Sequence, residues 1–329
     1  MNNLFVITTP FQLLGAFEAI EKFNLTKIFL VIIDNSLENN SNQLTNLLKN
    51  NKQLFHTVIR HGQGSKSKFL KNIKLIKSLK KNSFDNIFIG DIGSIQKIII
   101  SNIESNQIFL LDDGAKTILI HKALKEKKDI FKSKGFRKLR FNLLGLKTST
   151  EKMINIFTFF NLCKIDNSKI INHNFEKFKK IHNLKSKNIK NVIYILGQPL
   201  TENNRVKSES YEDYLNLIIN KHKDCKIFYL MHRREEKNRL LAYNLTEEIS
   251  IIESTQPGEF FFANLDYKPK AIYGINTTLL FSLATIFDDL SINSYLFKQE
   301  DILKNQEWFK ESIKYFEENK IKLKEDITC

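Results

Sequence analysis

The sequence predicts an α/β protein made of two doubly wound parallel sheets. Two observations carry that expectation. Short apolar runs of strand character alternate with helical segments from Leu4 to Gly114, and the alternation resumes at Asn191 and continues to Phe297. Between them, residues 115–190 lose the rhythm and divide the chain.

In the first half, Leu4–Thr9 reads as a strand, and Thr9-Pro10 opens a helix over Phe11–Phe23, with proline at the first turn where its missing N–H costs nothing. Lys27–Asp34 is a strand, a polar loop follows, and a helix covers Asn42–Lys49. Phe55–Ile59 is a third strand, and Gly62-Gln63-Gly64-Ser65 leads into a helix with lysines on one side and Phe69, Leu70, Ile73, Ile76 and Leu79 on the other. Asn86–Gly90, a helix near Ile95–Ile103 and the run Ile108–Leu111 complete this half.

The second half opens on Asn191–Leu196, followed by Gly197-Gln198-Pro199 and a helix over Tyr211–Lys221. Lys226–Met231 ends at His232, and a charged helix covers Glu235–Tyr243. Ile249–Glu253 precedes Pro257-Gly258-Glu259, which starts the helix Phe260–Leu265. Lys270–Ile275 leads through Thr277-Thr278 into Leu279–Phe287, Ser294–Phe297 closes the sheet, and Gln306–Lys324 reads as a long charged helix. The implied organisation is an N-terminal domain over 1–165, a link over 166–190, a second domain over 191–305, and a C-terminal segment 306–329 able to cross back to the first domain. Two Rossmann-like halves facing across a cleft is the GT-B plan.

Composition narrows the function. The 329 residues carry a formal charge of +15 with 42% hydrophobic residues, a folded globular composition. No apolar stretch nears the roughly 20 residues of a membrane span. The start lacks a basic region before its apolar run, so no signal peptide is expected. Three scattered cysteines, Cys163, Cys225 and Cys329, suit a reducing cytoplasm and exclude a zinc cluster of the usual spacing. Residues 115–150 hold eleven Lys/Arg against Glu126 and Asp129, a net charge of +9, and Lys66–Lys81 holds seven lysines and no acid. Such blocks suit a solvated face or an anionic partner, with a membrane or acidic glycan ahead of nucleic acid, since they lack a recognisable nucleic-acid motif or regularly placed stacking aromatics. Lys127, Lys128, Arg137 and Lys138 are the basic residues expected to meet such a partner.

Neither half carries a Gly-x-Gly-x-x-Gly fingerprint or a phosphate loop. No Asp-x-Asp triplet is present, so no metal is expected on a donor diphosphate. Ligands of open α/β sheets bind at the carboxyl ends of strands. Asp112 and Asp113 emerge there, and successive residues point to opposite faces, so one can be a base while the other is a structural partner. His232 ends a strand beside Arg233 and Arg234, a setting in which a protonated imidazole holds a phosphate, although a packing or turn residue reads the same way. Thr277 and Thr278 at a helix start make an anion site or a simple N-cap. Glu259 can take ribose hydroxyls or offset a helix dipole. Gly197-Gln198 lets backbone amides approach a nucleotide.

Taken in order, Thr8-Thr9-Pro10-Phe11-Gln12, Asp112-Asp113-Gly114, Leu196-Gly197-Gln198-Pro199, His232-Arg233-Arg234-Glu235, Pro257-Gly258-Glu259 and Tyr273-Gly274-Ile275-Asn276-Thr277-Thr278 resemble bacterial sialyltransferases of glycosyltransferase family 52, with capsular polysialyltransferases as more distant relatives. The resemblance implies a GT-B fold and an inverting, metal-independent transfer of a CMP-activated nonulosonic acid to a lipooligosaccharide or capsule hydroxyl. It implies Asp112 as general base and His232 on the CMP phosphate, assisted by Arg233, Thr277 and Thr278. Glu259 would hold the ribose, Gly197 and Gln198 would lie against the nucleotide, and Thr9, Pro10, Gln12 and Asp113 would form the acceptor side. The family's His-Pro is His232-Arg233 here, and its serine pair is replaced by threonines. The partners implied are a CMP-sugar, a glycan or glycolipid acceptor and an anionic membrane, at the cytoplasmic face of a bacterial inner membrane, with a homodimer left open. The rival readings are a transferase for another nucleotide-sugar on the same fold, a sugar-nucleotide hydrolase or epimerase, and a non-catalytic membrane-bound assembly factor.

Overall fold

The computed structural model describes residues 2–35, 37–62, 68–131, 136–184, 187–241, 243, 249–287, 289–304, 306–318 and 323–324. The loop Gln63–Ser65, the side chains of Arg137 and Lys138, and Cys329 lie outside the described residues. The chain forms two compact units that divide between Lys177 and Phe178.

Unit 1 runs β1 (Asn3–Ile7), α1 (Pro10–Lys22), β2 (Ile28–Asp34), α2 (Glu38–Lys49), β3 (Thr57–Gly62), α3 (Lys68–Leu79), β4 (Phe84–Ile89), α4 (Ser94–Asn102), β5 (Ser105–Leu111), α5 (Lys116–Lys125), α6 (Phe136–Asn142), β6 (Asn155–Thr158) and β7 (Ile170–Asn172), with α7 (Glu176–His182) spanning the division. Its seven strands lie in the order β3-β2-β1-β4-β5-β6-β7, and every pair is parallel. A parallel sheet with helices on both faces buries both sides of its strands, which is why they read as unbroken apolar runs. Alternate residues of β1 divide between two cores, Leu4 and Val6 on one side, Phe5 and Ile7 on the other. On the second side Phe5 stacks on Phe88 with centroids 4.4 Å apart, and Phe88 on Phe109 at 4.9 Å.

Unit 2 runs β8 (Ile189–Leu196), α8 (Ser208–Lys221), β9 (Lys226–Leu230), α9 (Lys237–Leu241), β10 (Ile249–Ile252), α10 (Gly258–Asn264), β11 (Lys268–Gly274), α11 (Thr278–Ile286), β12 (Ile292–Tyr295), α12 (Gln306–Glu318) and β13 (Leu323–Lys324). Its sheet is also parallel throughout, in the order β10-β9-β8-β11-β12-β13. The expected two-sheet α/β class is the observed one.

Several local expectations are revised. The segment 166–190, read as a link, carries β7 and α7, and β6 and β7 extend the first sheet. Gln306–Lys324 is not one helix: α12 ends at Glu318, and Leu323–Lys324 pairs beside β12, which therefore does not close the sheet. Within unit 2, Phe309 of α12 joins the core and Tyr315 packs edge-on against Phe281. Among the described residues no helix is long and apolar enough to cross a membrane.

Candidate functional site

In each unit the strand order reverses direction beside the first strand, between β1 and β4 and between β8 and β11. The loops at the carboxyl ends of these strands border a topological switch point, where open α/β sheets bind ligands. The residues singled out from the sequence gather on these two rims. Cavities of about 640 Å³ in unit 1 and 570 Å³ in unit 2 contain none of them.

On the first rim Thr9 caps α1 and Pro10 stands at its first turn, and Thr9 and Gln12 form a reciprocal capping box. The Gln12 side chain, buried at 1% exposure, does more than cap. Its Oε1 accepts from the Thr8 amide at 2.6 Å, and its Nε2 donates to Asp113 Oδ1 at 2.6 Å. Gly114, at φ 68°, makes the turn that a residue with a Cβ would resist. Asp113 Oδ2 lies 3.7 Å from Lys116 Nζ, and Lys116 also pairs with Asp91 at the end of β4. Burial first, and the Asp91 charge second, raise the Asp113 carboxyl above its ordinary range, against the pull of Gln12 and Lys116.

Asp112 points the other way. Its Oδ1 accepts from the Thr158 hydroxyl at 2.7 Å and its Oδ2 from the Phe159 amide at 2.9 Å, with His173 Nε2 3.7 Å away. At 3% exposure this carboxylate braces the end of β5 against β6. Asp112, expected as the presented base, has both oxygens engaged inside the unit, and the carboxylate held at the rim is Asp113. Asp91 and Lys116 went unassigned in the sequence, where nothing marks them as neighbours of Asp113.

On the second rim His232 follows β9, and its Nδ1 accepts from the Arg234 amide at 3.2 Å. Burial, reinforced by the Arg233 and Arg234 charges, lowers its pKa to about 4. The expected protonated imidazole is thus a neutral one near pH 7, with Nδ1 as acceptor and its proton on Nε2. Burial is the main reason, and the neighbouring guanidiniums add to it by disfavouring a third positive charge. Gly197 and Gln198 follow β8, and Gln198 is buried. Thr277 occupies the N-cap position of α11 but makes no capping bond with its side chain, and Thr278 starts the helix; both are partly exposed. Glu259 lies in the first turn of α10, buried at 5% exposure, and its Oε1 accepts from Ser282 of α11 at 2.6 Å. Burial raises its pKa, while Ser282 and the Arg233 charge oppose that shift. Arg233 thus lies within electrostatic reach of both His232 and Glu259.

One group of metal-capable side chains occurs among the described residues: donor atoms of Glu18, His173 and Glu176 lie within 4.8 Å of one another in unit 1. Glu18 already accepts from the Lys177 amide, and the Glu176 carboxylate from the Asn174 amide.

The sequence profile of glycosyltransferase family 52 matches residues 26–292. No protein of curated function matches the chain in sequence. Among solved structures, the UDP-GlcNAc 2-epimerase of Methanocaldococcus jannaschii is similar at a TM-score of 0.50 and 14% identity, over 95% of this chain and 92% of that one. The UDP-N-acetylglucosamine 2-epimerase of Rickettsia bellii is similar at 0.50 and 14% identity, over 89% of this chain and 78% of its own. The E. coli heptosyltransferase WaaC with ADP aligns at 0.44 and 11% identity, over 97% and 98% of the two chains. The epimerase likenesses show a shared fold.

Proposed function

The chain belongs to glycosyltransferase family 52 and is a glycosyltransferase, and from that premise we propose that it moves sialic acid or a related nonulosonic acid from its CMP-activated form to a hydroxyl of a cell-surface glycan. The observation that carries the reading is the chemical contrast between the two rims. Unit 1 presents an oriented carboxylate of raised pKa. Unit 2 presents an imidazole N–H, two arginines and a helix start with two threonines.

In this reading Asp113 is the general base. Gln12 fixes its Oδ1, and Oδ2 takes the proton of the acceptor hydroxyl as that oxygen bonds to the anomeric carbon. The bond from that carbon to the phosphate oxygen breaks with its electron pair on the phosphate, and the configuration inverts. The leaving CMP gains charge, which His232 Nε2–H, Arg233, the hydroxyls of Thr277 and Thr278, and the α11 amides stabilise. Gln198 lies against the nucleotide, and Glu259 serves the ribose through the oxygen that Ser282 does not use. Thr9 and Pro10 shape the acceptor side by fixing the start of α1. With the phosphate served by these groups, the reaction needs no divalent metal.

The acceptor is a lipooligosaccharide or capsule glycan met at an anionic membrane surface on the cytoplasmic side. Support comes from the way the two basic blocks meet. The Arg140 guanidinium lies 4.2 Å from the centre of the Phe69 ring, and Phe69 and Phe141 have centroids 4.9 Å apart, so α6 packs on the lysine-rich helix α3. Leu70 of α3, Leu139 of α6, and Leu143 and Leu144 in the turn just after α6 are each at least 50% exposed. Basic side chains around exposed leucines suit an anionic bilayer.

The test is mass spectrometry of products from CMP-sialic, CMP-pseudaminic and CMP-legionaminic acids with a lipooligosaccharide acceptor. A product mass increased by one nonulosonic acid residue supports the reading. No product from any CMP donor, with turnover of a UDP-sugar instead, overturns the donor assignment.

A further inference from the structure

Glu235 has no role in the chemistry above, yet it stands at the carboxyl end of the second sheet with its carboxylate turned inward. Its Oε1 accepts from the Tyr229 hydroxyl at 2.6 Å and its Oε2 from the His232 amide at 2.6 Å. The Gln198 amide also donates to this carboxylate, and the Tyr229 hydroxyl is tied to Tyr211 of α8 at 2.7 Å. Gln198 follows β8 and His232 follows β9, adjacent strands paired up to Leu196 and Leu230. One side chain therefore fastens two rim loops to each other.

The same side chain accounts for Gly197. A Cβ there would stand 2.1 Å from Glu235 Oε2 and 2.8 Å from the Tyr229 hydroxyl. The sequence suggested that this glycine makes room for a nucleotide; the space beside it is filled by the protein's own carboxylate.

We infer that Glu235 is a positioning residue for the donor phosphate, fixing the spacing between the Gly197-Gln198 loop and the His232 imidazole and so setting the grip of unit 2 on CMP. The inference rests on the reading of unit 2 as the donor unit. An ionised carboxylate serves three donors at once, whereas a protonated carboxyl or an amide turns part of itself into a donor and must release one of them. The groups facing it are Tyr229 of β9, Tyr211 and Tyr214 of α8, Glu202 from the loop after β8, and the backbone amides of Gln198 and His232. Burial, with Glu202 adding to it, brings the carboxyl to about 7, so both forms exist near neutrality.

The experiment is calorimetric titration of CMP into the full-length protein, Glu235→Gln and Tyr229→Phe between pH 6.5 and 8.5, above the second ionisation of the phosphate near about 6, with thermal unfolding in parallel. Wild-type affinity is expected to rise with pH through neutrality. Glu235→Gln should be flat with pH and about tenfold weaker at pH 8.5, the worth of one hydrogen bond to a charged group. Its melting temperature there should not fall, because the amide avoids burying a charge. Tyr229→Phe should keep the rise but shift its midpoint upward, since the ionised form loses a donor. Glu235→Gln binding as tightly as wild type or tighter at pH 8.5 overturns the inference, as does weaker binding matched by a lower melting temperature. Should that variant not fold, an unmoved midpoint in Tyr229→Phe overturns it. A wild-type protein that binds no CMP at any pH overturns the reading of unit 2, and the inference with it; a wild type that binds CMP with pH-independent affinity overturns the inference alone.

Discussion

The carboxamide of Gln12 and the carboxylate of Asp113 meet at 2.6 Å across 101 residues of sequence. The donor in that bond is an amide already fixed by its own helix cap, so the orientation of Asp113 is inherited from α1. Asp112, one residue earlier, is oriented by β6 instead. Adjacent carboxylates thus answer to different parts of the fold, and their replacements should fail in different ways.

Asp113→Ala is expected to lower kcat on a CMP-nonulosonic acid about 100- to 10,000-fold while CMP affinity and melting temperature hold. Asp112→Ala should instead destabilise the protein, because the Thr158 hydroxyl and Phe159 amide lose a buried acceptor, at a cost of about 1–3 kcal/mol each. Steady-state kinetics beside thermal unfolding separates the two. An Asp113→Ala enzyme with full turnover would return the base to Asp112.

The pH dependence of kcat/KM should show an acid limb above the ordinary aspartate range. Asp113 must be ionised to accept a proton, and its raised pKa means the active form is lost at a higher pH than a solvated aspartate would lose it. Asp91→Asn removes one of the two raising influences, so the limb should move to lower pH. A limb that stays in place uncouples Asp91 from the base.

Global stability carries a second signature, from His232 and Glu235 together. His232 falls from 6.5 to about 4, so the unfolded chain binds more protons between those values and stability rises with pH there. Glu235 rises from 4.5 to about 7, so the folded chain holds the extra proton, and its contribution is full below 4.5 and lost as pH climbs through about 7. Each is worth on the order of 3 kcal/mol before solvent screening, and the opposite slopes offset each other between 4.5 and 6.5. Denaturant unfolding should therefore find this pair's contribution nearly level across that window in the wild type. Glu235→Gln should reveal stability rising with pH, and His232→Gln stability falling with it. Parallel slopes in both variants would refute the assignment.

Vesicles of phosphatidylglycerol and phosphatidylcholine test the basic, leucine-studded face of unit 1. The protein should sediment with anionic vesicles and not with zwitterionic ones, and Leu143→Ser with Leu144→Ser should lower the partition about tenfold or more, since each leucine contributes about 1.5–3 kcal/mol when buried. Sedimentation unchanged by the serine pair would leave only diffuse charge attraction.

Much of this was written plainly in the chain. Apolar runs bounded by turn residues located ten of the strands, because burial on both faces forces such runs, and Thr9-Pro10-Phe11-Gln12 announced its helix cap. The short strands β6 and β7 were not legible, since three or four residues carry no period of their own and are stabilised by pairing, β6 with β5 and β7 with β6. The same limit governs the rims. Strand alternation indicated that Asp112 and Asp113 diverge, but which one reaches the rim depends on Thr158 and Gln12, far away in sequence. Glu235 stood in view beside His232-Arg233-Arg234, yet its burial is set by Gly197 and Tyr229, which no local pattern connects to it.

The brace from Asp112 to Thr158 and Phe159 has a consequence for how this protein can diversify. It clips together the two ends of the long excursion that leaves β5 and returns at β6, so the stretch between hangs from a closed loop. Mutation can recharge the exposed side chains of that stretch beyond Lys116 and Thr117, which hold Asp113, while Ile120, Phe131, Phe141 and Leu146 stay anchored in the core. Changes in what the enzyme docks against are thereby open to natural selection at little risk to the reaction it performs.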